Sequence, residues 1–320
     1  MTDRSVLIRV PATVGNFGGA TGCAALALDA ALNLRASTRR DGRVSVRYFG
    51  ENGERVPRDS SNLAVRAMRA AVEHKGQAFL GIEMEMYGSV PVAVGFGSST
   101  AAVWAGLLAA DRLYRLNLGE KELFDLASIL DPRSDNLRAA WLGGFVASFQ
   151  EGPSLLYRST VVPDDLTLSV VIPEISSVQN RAAGGLNLTA KDRSACLDRA
   201  ALLTGLLSNS GSTGEALSAF AGVPEKTVPG LEEALRLSEP GQVAFVCGSG
   251  PSIGILSQGA ESEATAKSIS DCLAWHGVAA TVARFRASNA GARDWNASGT
   301  DIRTAPTVGR DLTQRSPLLV

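Results

Sequence analysis

The sequence predicts an α+β protein built of two domains, and three observations carry that expectation. At 320 residues, 45% of them hydrophobic and 20% charged, the chain can bury two cores of ordinary size. Short apolar or alternating runs, the pattern of strands, are interleaved with stretches whose apolar residues recur every three or four positions, the pattern of helices. The turn signal Pro163-Asp164-Asp165 then introduces a fresh series, strand, helices, strand, strand, helix, strand, which suits a ferredoxin-like second half. The expected division is residues 1–163 and 164–294, followed by a loose tail over 295–320, where Gly, Thr, Pro, Ser and Arg replace apolar residues.

In chain order, Val6–Val10 reads as a strand, and Ala24–Asn33, rich in small residues, as a short helix or a strand edge. Arg35–Phe49 reads as a hairpin strand with Val44, Val46 and Tyr48 on one face, closed by the turn Gly50-Glu51-Asn52-Gly53. Asp59-Ser60-Ser61-Asn62 starts a helix through Leu63, Ala64, Ala67, Met68 and Ala71, and Gly81–Met86 is a strand. One helix runs from Ser99 to about Tyr114, burying Val103, Leu107 and Trp104; another runs from Gly119 through Leu130 and ends at Asp131-Pro132-Arg133-Ser134-Asp135-Asn136. Leu142–Gln150 and Leu155–Arg158 are neighbouring strands. In the second half, Leu166–Pro173 is a strand and Lys191–Leu207 a helix with Ala195, Leu197, Ala200, Ala201 and Leu203 on its buried side. Leu217–Phe220 and Leu231–Leu237 are shorter helices. Two strands flank Gly248-Ser249-Gly250-Pro251, and a helix over Glu261–His276 leads to a last strand, Ala279–Arg286.

Composition removes several classes of function. A formal net charge of −1 provides no field to gather nucleic acid or an anionic membrane, so any anionic ligand has to be held by local groups. The start of the chain has charges within its first apolar run and no cleavage pattern, which argues against a signal peptide. Gly88–Ala110 is uncharged, but its glycines, serines and proline fall in the first half, so a buried helix behind a loop fits better than a membrane span. Cys23, Cys196, Cys247 and Cys272 are far apart with no C-x-x-C. They read as thiols of a reducing cytoplasm, in neither a zinc site nor a disulfide framework. His74 and His276, the only histidines, each precede a helix-ending glycine by one or two residues, so histidine triads and metal clusters are not expected. Arg39 and Arg40 beside a turn read as solvated charges, with a ligand contact as the alternative.

Pro91–Asp111 carries the clearest chemistry. Gly95 and Gly97 leave backbone N–H groups uncovered, Ser98 and Ser99 suit a helix cap, and the Ala/Leu-rich helix that follows points its positive end at the same place. Together they make an anion site. The pattern is neither G-x-x-x-x-G-K-[ST] nor G-x-G-x-x-G, which excludes the P-loop and dinucleotide readings; taken alone, it could be a tight turn. Two more segments join it. Leu7–Leu28 reads as a strand, a glycine loop carrying Asn16, and the start of a small-residue helix; Val243–Leu256 reads as strand, Gly-Ser-Gly-Pro turn and strand.

These three segments, in this order, resemble the three motifs of the GHMP kinase superfamily, the small-molecule kinases of galactose, homoserine, mevalonate and phosphomevalonate. The middle one is similar to that family's P-x-x-x-G-L-G-S-S-A-A, with Phe96 for Leu and Thr100 for Ala. Within the superfamily the chain most resembles homoserine kinase up to about Arg293: Val10-Pro11-Ala12-Thr13 with Asn16-Phe17-Gly18, Ser61-Asn62-Leu63-Ala64, Asp131–Asn136 in the place of E-G-H-P-D-N, Leu142-Gly143-Gly144, Arg199 in D-R-A-A-L-L, and Asn289–Arg293. The resemblance implies a GHMP fold, with a ribosomal protein S5 domain 2-like first domain and a ferredoxin-like second one. It implies a kinase that uses ATP and Mg2+ to phosphorylate a hydroxyl on a small metabolite, in the cytoplasm, and leaves a homodimer open.

Phosphoryl transfer needs a phosphate cradle, a magnesium ligand and groups that aim the acceptor. The resemblance assigns the nucleotide to Asn62, Pro91, Gly95, Phe96, Gly97, Ser98, Ser99 and Thr100, and magnesium to Ser99 and Asp131, where the family's ligand is a glutamate one methylene longer. It assigns the acceptor to Asn16, Asp135, Asn136, Arg199 and Gly248-Ser249-Gly250, with Asn16, Asp135 and Asn136 closest to the reacting hydroxyl, and Arg133, which is not the family's residue, is a further candidate to bind an acidic acceptor. A helix cap for Asn62, a helix-end carboxylate for Asp131 and a solvated helix arginine for Arg199 are the plainer alternatives. The acceptor half also departs from homoserine kinase. Gly22 stands for the acidic residue that would meet an ammonium, Arg133 for a histidine, and the segment Phe220–Gly230 lacks a second carboxylate-binding arginine. Another small alcohol or hydroxy acid, or a catalytically silent nucleotide- or metabolite-binding protein, are therefore the competing readings.

Overall fold

The structure, a computed structural model, describes residues 5–151, 154–164, 166–174, 190–208, 228–239, 241–258 and 262–297. The first of its two sheets is organised by a long central strand. Strand β1 (Ser5–Gly15) pairs antiparallel with β2 (Ala24–Arg39), and β2 also pairs with β4 (Gly81–Gly88) and β5 (Phe145–Glu151). Strand β3 (Val44–Phe49) lies parallel to β4, and β6 (Ser154–Thr160) lies antiparallel to β5, so the order is β3-β4-β2-β5-β6 with β1 also on β2. Helices α1 (Leu63–His74), α2 (Ser98–Tyr114), α3 (Glu120–Leu130) and α4 (Ser134–Leu142) share a core with it, in which Met68, Ile82, Met84 and Trp104 are fully buried. Trp104 stacks on Trp141 at 4.8 Å, meets Phe124 edge-on, and donates its indole N–H to the Leu137 carbonyl at 3.0 Å, so its one polar atom is satisfied.

The second sheet has the order β10-β7-β9-β8, antiparallel throughout, from β7 (Leu166–Pro173), β8 (Val243–Val246), β9 (Ile253–Gln258) and β10 (Ala280–Arg286). Helices α5 (Ala190–Ser208), α6 (Leu231–Leu235), α7 (Ser262–Trp275) and α8 (Ala292–Ala297) complete the described residues. Every residue of β7 is buried, because side chains alternate between two cores. Leu168 and Val170 face Phe17, Phe96 and Phe145 of the first half, whereas Val171 joins Ile253, Ile255, Leu231 and Leu273 beneath α6 and α7. This sheet is thus clamped between the first domain and its own helices, in the ferredoxin-like order expected.

Four expectations need correction. Ala24–Asn33 is neither a helix nor an edge but the middle of the sheet: β2 is covered on both faces, and small side chains allow that close approach despite the high helix propensity of alanine. Arg35–Arg39 belong to β2, and β3 pairs with β4 rather than forming a hairpin with them, although Val44, Val46 and Tyr48 do face the core. A helix absent from the expectation, α4, starts directly after Asp131-Pro132-Arg133. On α5, Ala201 is exposed and the buried stripe is Cys196, Ala200, Leu203 and Leu207. The expected helix at 217–220 and most of the expected tail, from 298 onwards, lie outside the described residues. Among the described residues, no helix is long and apolar enough to cross a membrane.

Candidate functional site

Gly97, not a serine, is the N-cap of α2, and Ser98 and Ser99 are its first helical residues. At φ +63° Gly97 turns the chain so that no side chain caps the helix, and its first turn holds no acidic residue. The open N–H groups and the positive end of the dipole therefore meet at the mouth of the loop. Gly95, at φ +98°, lies so close to the Cys247 carbonyl that a Cβ there would collide with it. The register of β1 on β2 slips between Pro11 and Thr13, and there the Thr13 N–H turns to the Phe96 carbonyl at 3.1 Å. The Gly248 N–H donates to the Gly15 carbonyl at 2.8 Å, and the Asn16 side-chain amide donates to the Gly248 carbonyl. Backbone contacts thus draw the three glycine loops, distant in sequence, to one place.

Beside the loop opens a cavity of about 220 Å3, bounded by Tyr48, Pro57, Asn62, Met86, Phe96 and Ser99 among others. Its walls are mainly apolar, with Asn62 at one side and the two serines at the start of α2. Asn62 is also the N-cap of α1: its Oδ1 accepts from the Ala64 N–H at 2.9 Å and its Nδ2 donates to the Pro57 carbonyl at 2.8 Å, fixing the wall opposite. Capping and cavity lining coincide in one residue. Pro91 is buried between Val90 and Val92, which line the cavity.

Asp131 is buried at the end of α3 with both oxygens engaged. Thr100 of α2 donates its hydroxyl to Oδ2 at 2.6 Å, and the Arg133 guanidinium donates Nε to Oδ1 and Nη2 to Oδ2, each at 2.8 Å, a two-pronged pair. Carboxylate and hydroxyl oxygens make a hard donor set of the kind magnesium takes. In this structure both Asp131 oxygens are taken by Thr100 and by the Arg133 head, which is 40% exposed, so an ion would reach them only with that head displaced.

On α4, Asp135 and Asn136 are buried. Thr13 donates its hydroxyl to Asn136 Oδ1 at 2.7 Å, and Asn136 Nδ2 approaches Asp135 Oδ1 at 3.4 Å. Desolvation raises the Asp135 pKa to about 6, against the opposing effects of Asn136 and the nearby Arg133 charge. Burial, with smaller contributions from Cys196 and Asp135, pushes the Cys23 thiol up to about 11. Asn16 adopts a left-handed conformation at φ 58°, and its Oδ1 accepts from the Gly22 N–H at 3.1 Å. Arg199 of α5 donates to the Gly19 carbonyl at 3.2 Å, which joins it to the same glycine loop. The loop Gly248-Ser249-Gly250 lies against Gly95, closed by a Gly250 N–H to Cys247 carbonyl bond at 2.8 Å.

The predicted residues therefore fall into three sets. Asn62, Phe96, Ser98 and Ser99 share the cavity, while Asn16 with Gly248, and Asp135 with Asn136, sit around the first glycine loop. Asp131, Arg133 and Thr100 link α3 and α2 beside them. Three participants were missed: Thr13, which joins β1 to Asn136; Cys247, against which Gly95 packs; and the wall of Tyr48 and Met86. Thr13 lies inside the V-P-A-T motif, a signal that could have found it; the others are defined only by long-range packing. Arg39 pairs with Asp41 at 2.6 Å on the surface, in keeping with a solvated charge.

The family described as GHMP kinases, N terminal domain, matches residues 62–144, the span from Asn62 through α2 to the end of α4. Homoserine kinase from Streptomyces coelicolor is 30% identical over 273 residues, 78% of this chain and 83% of that protein. The chain belongs to the GHMP kinase family. Homoserine kinase from Moorella thermoacetica is 34% identical over 170 residues, where the match spans 57% of that protein's length. A crystal structure of homoserine kinase from Cytophaga hutchinsonii superposes with a TM-score of 0.69 at 22% identity, covering 91% of this chain and 97% of that one. The GHMP fold is thus shared across both sheets and extends well beyond the matched domain.

Proposed function

We propose that this GHMP kinase binds ATP in the cavity beside Gly95–Thr100 and transfers its γ-phosphoryl group to the hydroxyl of a small metabolite, as a homoserine kinase does. The observation that carries the reading is the convergence of three glycine loops on the uncapped start of α2, beside an apolar cavity, in a chain whose relatives are named homoserine kinases. The acceptor oxygen forms its bond to phosphorus as the bond to the β-phosphate oxygen breaks, its hydroxyl proton is released to solvent, and ADP leaves. The open N–H groups of α2 and the hydroxyls of Ser98 and Ser99 hold phosphate oxygens. Asp131 with Ser99 would hold magnesium, which supplies neutralisation of phosphate charge when bound. Asn16, Asp135 and Asn136 aim the hydroxyl, and Arg199 and Arg133 offer cations to an acidic acceptor. The division at 163 and 164, and a cytoplasmic location, belong to the same reading.

A second acceptor is favoured by one observation: Gly22 offers no anion, and a Cβ there would meet nothing within 4 Å. Magnesium-dependent ADP release with homoserine, hydroxy acids, sugars and nucleosides decides between them. Fastest release with homoserine is the expected outcome. Release only with another compound transfers the assignment to that alcohol, and ATP binding without release to any acceptor overturns the kinase reading.

A further inference from the structure

We propose that Glu233, Cys272 and His276 form a binding site for a zinc-class divalent ion on the outer helical layer of the second domain. Cys272 and His276 are four residues apart at the end of α7, so both project from one side of its last turn, and Glu233 comes from α6 packed against it. Their ligand atoms all lie within 4.8 Å of one another, and they are the one such group among the described residues. His276 Nε2 is 2.9 Å from Glu233 Oε2. In a tetrahedral zinc site, bond lengths of about 2.0–2.3 Å put neighbouring ligand atoms about 3.3–3.8 Å apart, a distance that small side-chain rotations reach here. Cys272 and His276 are spaced four apart rather than as C-x-x-C, and Glu233 joins them only in the fold, so the sequence alone does not mark a zinc site.

The surroundings hold the imidazole in place. The His276 N–H bonds the Cys272 and Leu273 carbonyls at 3.3 and 3.0 Å, which keeps it in helical register after Trp275. Gly230, the N-cap of α6, supplies the cradle: a Cβ on it would overlap the His276 ring. An incoming ion displaces the Cys272 thiol proton to solvent as the sulfur–metal bond forms. One sulfur, one nitrogen and one carboxylate oxygen suit zinc or cobalt better than magnesium or calcium. Glu233 is 68% exposed at the side chain, which leaves the fourth position to water. The site lies over the sheet face that carries Val171, Ile253 and Ile255, whereas the nucleotide cavity lies in the first domain, so the two share no residue.

The test is titration of the full chain with Zn2+ alone and Co2+ alone. Expected are one equivalent of Zn2+ bound, a higher melting temperature with the ion present, and a sulfur-to-cobalt charge-transfer band. Cys272→Ala and His276→Gln should each weaken binding by more than about 10-fold, and Cys272→Ala should abolish the band. No saturable binding, or unchanged affinity in both variants, overturns the proposal. Should a variant fail to fold, protection of Cys272 from alkylation by Zn2+ in the unaltered chain takes its place, with unprotected Cys272 as the overturning result. Because the probe is the ion, this outcome is independent of whether the kinase assay succeeds.

Discussion

The proposed nucleotide half of the site and the proposed acceptor half are built by different means. The first rests on backbone: Gly95 pressed on the Cys247 carbonyl, Gly97 turning into α2, and the Phe96 carbonyl bonded to Thr13. The second rests on side chains reaching across the sequence: Thr13 to Asn136, Asn16 to Gly248, Arg199 to Gly19. A backbone cradle tolerates almost no change of residue, whereas a side-chain network can be rewritten one contact at a time. On the proposed reading, this accounts for a glycine loop close to the family pattern beside residues proposed for the acceptor that depart from it at Gly22 and Arg133.

The comparison breaks most visibly at Gly95. Gly95→Ala adds a methyl group where the Cys247 carbonyl already sits, at a φ of +98° that L-residues avoid. Stability should fall by about 3 kcal/mol, read as a lower urea midpoint, and turnover should vanish; a variant as stable as the parent would end the backbone account. Asp131→Ala comes next: turnover should drop about 100-fold or more while nucleotide binding, followed by fluorescence of an ATP analogue, persists. Loss of both together would mean that Asp131 serves the fold rather than the chemistry.

Asp135 sharpens the acceptor side. With its pKa raised to about 6 from 3.8, the native state holds this proton more tightly than the unfolded chain does. That contribution to stability is full below about pH 4 and is lost as pH rises through about 6. Asp135→Asn should therefore flatten the stability profile over this window and gain up to about 3 kcal/mol at pH 7. Activity moves the opposite way: kcat/KM should climb through about pH 6 in the parent and lose that limb in the variant. A fall of about 10-fold on substitution marks an orienting role, whereas about 10²–10⁴-fold marks a general base. Asn62→Ala has the smallest effect, about 1 kcal/mol from the lost cap and a modest rise in KM for ATP with the acceptor KM unmoved.

The same contrast explains what was legible in the sequence. Helices α1 and α2 and the loop between Pro91 and Ser99 are local patterns, with apolar spacing, glycines and polar caps within a few residues of one another, and they form where they were expected. Strand β2 was misread because its alanines answer to partners on both faces, which no local window contains. Helix α4 is hidden because Pro132 looks like an ending; α3 stops before it, and the next helix starts at once with Arg133 in the N-cap position and no side-chain cap. Within the site, the fork of Arg133 on Asp131 and the bond from Thr13 to Asn136 join α3, α4 and β1 only after folding.

Asn289 ties together the chain's two crossings between the sheets. Its amide donates to the Val162 carbonyl and its oxygen accepts from the Val162 N–H, both at 2.9 Å, just where the first sheet hands over to β7, while Ser288 and Gly144 bond alongside. The outgoing and returning strands are thereby stitched at one point.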